Sequence, residues 1–278
     1  MAGKLYIVST PIGNLGDFSP RAQLVLAQVD FIAAEDTRVG AKLLNKFEIK
    51  KPQVSYFEHN RKAKGQQIAE RILAGENCAL ITDAGTPAIS DPGTDLVAIC
   101  AEMGVEAVAV PGCCAAAAAL SISGMECGRW CFEGFLSVNK KSRREHLAAV
   151  KNETRTMVFY EAPHKLLKTL QDFYATFGQR KIALCREITK LHEQVLRMTL
   201  SEAVEYYQEH EPKGEFVLVV AGADQPLQEE SGPDPMELVG GLLEEGKSIS
   251  EAVKTVSRQL NLPKNALYQQ ALEAFSEK

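Results

Sequence analysis

A loop with two carboxylates and no cation has the clearest chemistry in this sequence. The string LITDAGTPAISDPG, residues 80–93, carries Asp83 and Asp91, and Gly85 and Gly93 free its backbone. Loops that bind polyphosphates have other signatures, G-x-x-x-x-G-K-[ST] or G-x-G-x-x-G, and this loop matches neither. Its charge therefore favours a neutral or positively charged ligand. The alternative is a tight turn in which Asp83 and Asp91 cap helices.

Two short polar strings supply candidate catalytic residues. The string AEDTR places Glu35, Asp36 and Arg38 just past a predicted strand. A carboxylate there can accept a proton from a hydroxyl group, and an arginine can hold a phosphate through two hydrogen bonds. In PIGNLGD, Asn14 can orient a hydroxyl group. The alternatives are a capping aspartate with a solvated or paired arginine and an asparagine in a turn, and no single general base follows from the sequence.

Two basic runs are candidate contacts for a polyanion such as RNA, which needs cations. The denser run is SVNKKSRREH, and the other is HNRKAK. The candidate residues are His59, Arg61, Lys62, Lys140, Lys141, Arg143 and Arg144. The alternative for each run is a solvated face, and the alternative for the histidine is a structural role.

The net charge argues against indiscriminate binding of polyanions. The chain has 31 basic and 36 acidic residues, a formal charge of −5. Residues 223–278 hold five bases and ten acids and so carry −5 by themselves, which leaves residues 1–222 neutral. This distribution is compatible with one local basic surface.

The elements that position these strings alternate along the chain. Over residues 4–112, apolar runs alternate with helical patterns, as is typical of a mostly parallel sheet with helices on both faces. Ligands bind such sheets beyond the carboxyl ends of the strands. From residue 115, a helix and five further strand patterns predict a second α/β layer with a mixed sheet.

A polar, Pro- and Gly-rich string over residues 222–241 marks a linker, and two short helices are predicted after it. The predicted units are therefore 1–114, 115–222, a linker over 223–236, and a small helical module over 237–278 that resembles a helix-turn-helix.

Composition places the chain among globular proteins, with 45% hydrophobic and 24% charged residues in 278. The most apolar stretch, residues 105–122, contains Glu106 and a Pro-Gly break. It predicts a buried strand and a buried helix rather than a membrane span. No signal-peptide pattern opens the sequence, and its seven cysteines lack zinc-ligand spacing. We expect a cytoplasmic protein with free thiols, no metal site and no membrane partner.

Eight strings together resemble the tetrapyrrole-methylase superfamily and, within it, the ribosomal small-subunit RNA 2′-O-methyltransferases. They are LYIVSTPIGNLGD (5–17), AAEDTR (33–38), ITDAGTPAISDPG (81–93), PGCCAAAAAL (111–120), FEGFL (132–136), FYEAPHKLL (159–167), REITKLHE (186–193) and PKGEFVLVV (212–220). Eight strings in one order across residues 4–222 are a specific signal. The resemblance implies a class III methyltransferase fold: two α/β domains plus a small C-terminal helical module.

The resemblance also implies a cofactor, S-adenosyl-L-methionine, bound between the two domains. This molecule carries a sulfonium cation, the kind of charge that the 80–93 loop favours. The implied cofactor residues are Asp83, Gly85, Thr86, Pro87, Ile89, Ser90, Cys114, Ala115, Tyr160, Glu161, Glu215 and Phe216. Relatives commonly have serine where this chain has Cys114, and a thiol is a weaker hydrogen-bond donor, so we expect backbone contacts there.

The implied substrate is the ribose of a cytidine in the decoding region of 16S ribosomal RNA, within the small ribosomal subunit. The implied assembly is a homodimer. Lys190 is expected to face RNA, because a lysine beside a sulfonium would be repelled. The alternative functions are methylation of a tetrapyrrole and a non-catalytic role as an RNA-binding relative.

Overall fold

The structure, a computed structural model, describes residues 1–58, 60–224, 234–260 and 262–275. It divides into two compact units, Met1–Ala223 and Asp224–Lys278. The first unit contains both predicted α/β layers, and the second contains helices. The predicted α/β fold class with an added helical module is confirmed.

The first sheet has five strands in the order β3-β2-β4-β1-β5, and all of its pairs are parallel, as predicted. The strands are β1 (Lys4–Val8), β2 (Phe31–Ala34), β3 (Gln53–Ser55), β4 (Cys78–Ile81) and β5 (Glu106–Val110). Its helices are α1 (Pro20–Gln28), α2 (Thr37–Lys46), α3 (Arg61–Leu73) and α4 (Thr94–Glu102). Separate apolar clusters cover the two faces of this sheet.

Local signals explain some of these elements and miss others. The Ser19 side chain accepts a hydrogen bond from the Ala22 amide at the start of α1, as its capping pattern predicts. Helix α2 was not predicted, because Gly40 interrupts its pattern. A Cβ at Gly40 would lie 2.6 Å from the Gln53 Oε1 atom, so the glycine allows α2 to pack closely against β3.

The prediction of a buried strand within residues 105–122 is wrong. Strand β5 pairs only with β1 within the described sheet, and Glu106, Ala107 and Ala109 are exposed. Hydrophobicity alone does not separate an edge strand rich in alanine from a central strand.

The second sheet is mixed, as predicted, with the strand order β6-β7-β10-β8-β9. Strands β6 and β7 are parallel, and the other pairs are antiparallel. The strands are β6 (Trp130–Phe135), β7 (Thr156–Glu161), β8 (Lys181–Arg186), β9 (Gln194–Thr199) and β10 (Phe216–Val220). The helices are α5 (Ala115–Ser123), α6 (Lys140–Ala149), α7 (Leu166–Phe177) and α8 (Leu200–Glu209).

Alternate residues of each central strand face different helices. Met157 and Phe159 of β7 pack in the cluster with α7 and α8, and Val158 packs in the cluster with α5. This period of two is the strand geometry that buries both faces of a sheet.

The second unit contains α9 (Pro235–Glu244), α10 (Ile249–Gln259) and α11 (Lys264–Phe275). Helix α9 begins inside the predicted linker, where Pro235 occupies the first turn and the Asp234 side chain accepts from the Met236 amide. Proline and a capping aspartate are helix-starting signals as well as linker signals. The two helices predicted after the linker correspond to α10 and α11, and Asn261 between them lies outside the described residues.

One string in this unit, GLLEEGKS over residues 241–248, has the spacing of a phosphate loop. The structure gives it another role, because a phosphate loop joins a strand to a helix and this string joins α9 to α10. The Glu251 carboxylate accepts from the amide and hydroxyl of Ser248. The Glu251 carboxylate therefore occupies the start of α10, where a phosphate loop would bind a phosphate.

Among the described residues, no helix has both the length and the hydropathy needed to cross a membrane.

Candidate functional site

A cavity of about 510 Å³ lies in the first unit, where the 83–91 loop of the first sheet meets the second sheet. Eleven of the twelve predicted cofactor residues line it: Asp83, Gly85, Thr86, Ile89, Ser90, Cys114, Ala115, Tyr160, Glu161, Glu215 and Phe216. Pro87 is not among the lining residues. The structure thus brings together side chains that are more than 130 positions apart in the sequence, and their roles stay predictions.

The floor of the cavity is held by backbone bonds between the 83–91 loop and the end of β1. The Thr10 amide donates to the Gly85 carbonyl at 2.8 Å, and the Gly85 amide donates back at 3.1 Å. Gly85 has φ +87°, a left-handed conformation that favours glycine. The Thr86 hydroxyl donates to the Cys113 carbonyl at 2.8 Å, which fixes the loop beside the start of α5.

The two loop aspartates are not helix caps. The residue that caps α4 is Gly93, which has no side chain to offer. The Asp83 carboxylate accepts instead from the Asp36 amide at 3.2 Å and thereby ties this loop to the β2–α2 junction. Burial, followed by the charge of Glu35, raises the pKa of both Asp83 and Asp91.

The opposite wall comes from β7 and its neighbours. The Tyr160 hydroxyl accepts from the Ala116 amide at 3.0 Å, at the start of α5. Its ring packs edge-on against Phe132 and Phe135, with centroids 4.9 and 5.5 Å away. Burial raises the pKa of Tyr160 to about 12, so the phenol is neutral at physiological pH.

Glu161 is 5% exposed and lines the same wall. One carboxylate oxygen accepts from the Ala162 amide at 2.9 Å, and the other accepts from the Thr169 hydroxyl at 2.5 Å. A carboxylate has about four acceptor positions, so this buried group retains acceptors for a ligand.

The charge of the lining is negative. Its ionisable carboxyl groups belong to Asp83, Asp91, Glu161 and Glu215, and across the described chain no lysine or arginine is among the lining residues. Lys190 lies close by, but its ammonium group is paired with Glu187 and Glu215 at 2.9 Å each. Carboxylates beside an apolar wall are suited to a ligand that is partly apolar and positively charged.

The three predicted catalytic residues lie outside the cavity lining. The Asn14 side-chain oxygen accepts from the Gly16 amide, and the backbone amide of Asn14 donates to the Thr189 hydroxyl. Asp36 caps α2 and holds the Arg38 guanidinium at 2.6 Å. Hydrogen bonds from Arg38 lower the pKa of Asp36 to about 2, which makes this carboxylate a weak proton acceptor.

The predicted RNA contacts fall into two groups. Arg61, Arg143 and Lys190 are paired with acidic side chains. Lys62, Lys140, Lys141 and Arg144 are exposed, and of these Lys141 has its ammonium group 3.9 Å from the Glu145 carboxylate. His59 lies outside the described residues.

Sequence analysis missed much of the apolar wall. The missed lining residues include Ile12, Phe135, Cys185 and Val217. Most belong to ordinary apolar runs, which carry no signal that separates a cavity wall from a core. Phe135 differs from these residues because it lies in the FEGFL string. It is 58% exposed at the cavity, so its ring is available for contact with a ligand.

Comparison with family models gives two matches. A model described as Tetrapyrrole (Corrin/Porphyrin) Methylases matches residues 4–204. A second, described as RsmI C-terminal HTH domain, matches residues 229–274.

Individual relatives are similar over nearly their whole length. A Synechocystis protein named Ribosomal RNA small subunit methyltransferase I is 48% identical over 276 residues, 98% of each chain. A Pseudomonas aeruginosa protein of the same name is 43% identical over 276 residues, again 98% of each chain. A solved structure of uroporphyrin-III C-methyl transferase from Thermus thermophilus, complexed with S-adenyl homocysteine, has a TM-score of 0.54 and 13% identity, and the match covers 79% of this chain and 97% of that one. At this identity the structural likeness shows the fold alone.

Proposed function

Because this chain belongs to the tetrapyrrole methylase family, and within it to the Ribosomal RNA small subunit methyltransferase I proteins, we propose that it methylates ribosomal RNA of the small subunit. The methyl donor in this proposal is S-adenosyl-L-methionine. The acceptor is the ribose 2′-oxygen of a cytidine in the decoding region of 16S ribosomal RNA. The observation that supports the donor best is the acid-lined cavity without lysine or arginine among its described lining residues.

The residues of the cavity suit this donor. Apolar side chains such as Ile89 and Phe216 can cover an adenine, and the carboxylates can accept hydrogen bonds from hydroxyl and ammonium groups. When bound, S-adenosyl-L-methionine supplies a methyl group already activated by its sulfonium. The chain's own task is then alignment of the acceptor, which can supply several orders of magnitude in rate.

The acceptor hydroxyl must also lose its proton. Asp36 is a sequence candidate for this step, but its pairing with Arg38 makes it a weak base. Asp83 and Asp91 have raised pKa values and line the cavity. We therefore propose that one of these two carboxylates accepts the proton. The Arg38 side chain is 87% exposed, and its proposed role is to contact an RNA phosphate.

An Asp91→Asn variant tests the link between the cavity's charge and its ligand. We expect roughly tenfold weaker binding of S-adenosylmethionine, because a carboxylate near a cation is lost. Binding of S-adenosylhomocysteine, which lacks the sulfonium charge, should weaken less. Isothermal titration with both ligands checks this expectation. Equal losses for both would remove the electrostatic argument for the cationic cofactor.

The same variant should be more stable than the wild type at neutral pH. Burial and the neighbouring Glu35 raise the pKa of Asp91 in the folded protein, so folding disfavours its ionised form. The stabilising contribution of the protonated group is present below the unfolded pKa and is lost as pH rises through the folded pKa. The gain in Tm should therefore vanish below about pH 4.

The two alternative functions differ from the proposal in what the protein methylates. A tetrapyrrole methyltransferase would label a tetrapyrrole, and a non-catalytic RNA-binding relative would label nothing. Transfer of labelled methyl groups to small ribosomal subunits is the experiment that separates them. The homodimer stays a prediction.

A further inference from the structure

Arg143 lies in the most basic run of the sequence, yet its side chain points into the protein. It is 15% exposed, whereas Lys141 two residues earlier is 85% exposed. Its Nε atom donates to Asp172 at 2.7 Å and its Nη2 atom donates to the Thr169 hydroxyl at 2.8 Å, both on α7. Arg143 therefore differs in environment from the cations beside it.

The contact with Thr169 leads on to the cavity. Thr169 is 1% exposed, and its hydroxyl donates its single hydrogen to Glu161 at 2.5 Å. A threonine inside a helix often donates to the carbonyl one turn earlier. Here the Thr169 hydroxyl accepts a hydrogen bond from Arg143 and donates one to Glu161. These two bonds fix the orientation of the hydroxyl. Glu161 in turn lines the cavity with acceptors to spare.

We infer that Arg143 is a positioning residue for the cofactor, which acts through Thr169 to orient the Glu161 carboxylate in the cavity. This inference rests on the proposed function, since it takes the cavity as the cofactor site. The oriented carboxylate then accepts hydrogen bonds from hydroxyl or ammonium groups of the cofactor. The exposed residues of α6 that remain predicted phosphate contacts are then Lys140, Lys141 and Arg144.

A matched pair of variants tests the relay. Thr169→Val keeps the shape of the side chain and removes its hydroxyl, and Thr169→Ser keeps the hydroxyl. We expect Thr169→Val to weaken S-adenosylhomocysteine binding about tenfold, since a hydrogen bond to a buried charge is lost. Thr169→Ser should bind within about twofold of the wild type. Equal binding by both variants would overturn the inference.

A control variant separates orientation from support of the fold. Asp172→Asn breaks the Arg143–Asp172 ion pair between α6 and α7, and the Lys168–Asp172 pair within α7, but leaves the Thr169–Glu161 bond in place. We expect a lower Tm with S-adenosylhomocysteine binding within about twofold of the wild type. If Asp172→Asn weakens binding as much as Thr169→Val, Arg143 supports only the packing of α6 on α7, and the inference is wrong.

Arg143→Met decides between the relay and a direct RNA contact. The relay predicts about fivefold to tenfold weaker binding of S-adenosylhomocysteine and an unchanged salt slope of rRNA binding. An unchanged cofactor affinity with a slope reduced by about one would mean that Arg143 contacts a phosphate, which overturns the inference. If the wild-type protein binds no S-adenosylhomocysteine, the proposed function is overturned as well. If the wild-type protein binds it normally and the Thr169→Val variant binds it equally well, only the relay is overturned.

Discussion

A Gly85→Val substitution is expected to abolish cofactor binding, with at least a hundredfold loss of affinity for S-adenosylhomocysteine. Gly85 has φ +87°, where a β-branched residue is strained. A Cβ atom there would lie 3.3 Å from the Ile12 side chain and 3.6 Å from the Cys113 carbonyl. Because the Gly85 backbone exchanges two hydrogen bonds with Thr10, the loop cannot shift without losing the floor of the cavity. Isothermal titration measures the effect.

Gly104→Val is the matched control. Gly104 also has a positive φ, +73°, but nothing lies within 4 Å of the position that a Cβ atom would occupy, and the residue follows α4, away from the cavity lining. Both variants therefore carry backbone strain, and only Gly85→Val changes the cavity. Normal cofactor binding by a folded Gly85→Val protein would remove the loop from the cofactor site.

Replacement of Lys140, Lys141 and Arg144 by alanine is expected to weaken rRNA binding strongly. Helix α6 follows β6, so its first turn lies at the carboxyl edge of the strands, the edge that carries the cavity. If each cation contacts one phosphate, the slope of log affinity against log salt should become shallower by about two to three. Filter binding of 16S rRNA over a range of salt concentrations measures the slope.

Two controls accompany this triple variant. Lys151 and Lys181 are exposed cations at the opposite, amino-terminal end of β8, and their replacement should leave the slope unchanged. Lys140 and Lys141 occupy the first turn of α6, where positive charge opposes the helix dipole. Their loss should not lower the Tm. An unchanged slope in the triple variant would assign these cations to a solvated face.

The fold was largely predictable because its signals are local. The first sheet follows from short apolar runs separated by helical patterns, and residues 80–93 were singled out by their glycines and carboxylates alone. The sequence did not predict helices α2 and α9. Gly40 interrupts the helical pattern of α2 although it allows close packing, and Pro235 is typical of a linker as well as of the first turn of a helix. The exposed position of β5 depends on which strands pair, and the sequence of one strand does not carry that information.

The site was less predictable, because its contacts join distant residues. Arg143 and Arg144 are neighbours in one charged run, but only Arg143 meets Asp172, 29 residues later. The pairing of Asp36 with Arg38 is one of several interpretations of AEDTR, and only side-chain geometry distinguishes them. Cavity-wall residues such as Val217 have the same apolar character as core residues, so their role in a site cannot be separated from packing without the fold.

Methyl transfer from labelled S-adenosylmethionine tests the central claim most directly. Small ribosomal subunits, free 16S rRNA and a tetrapyrrole precursor are incubated with the protein in parallel. The account predicts label on ribosomal RNA, at one cytidine whose neighbouring phosphodiester bond resists alkaline cleavage, because a methylated 2′-oxygen cannot attack that bond. Label on the tetrapyrrole, label on a base of the RNA, or no transfer at all would contradict it.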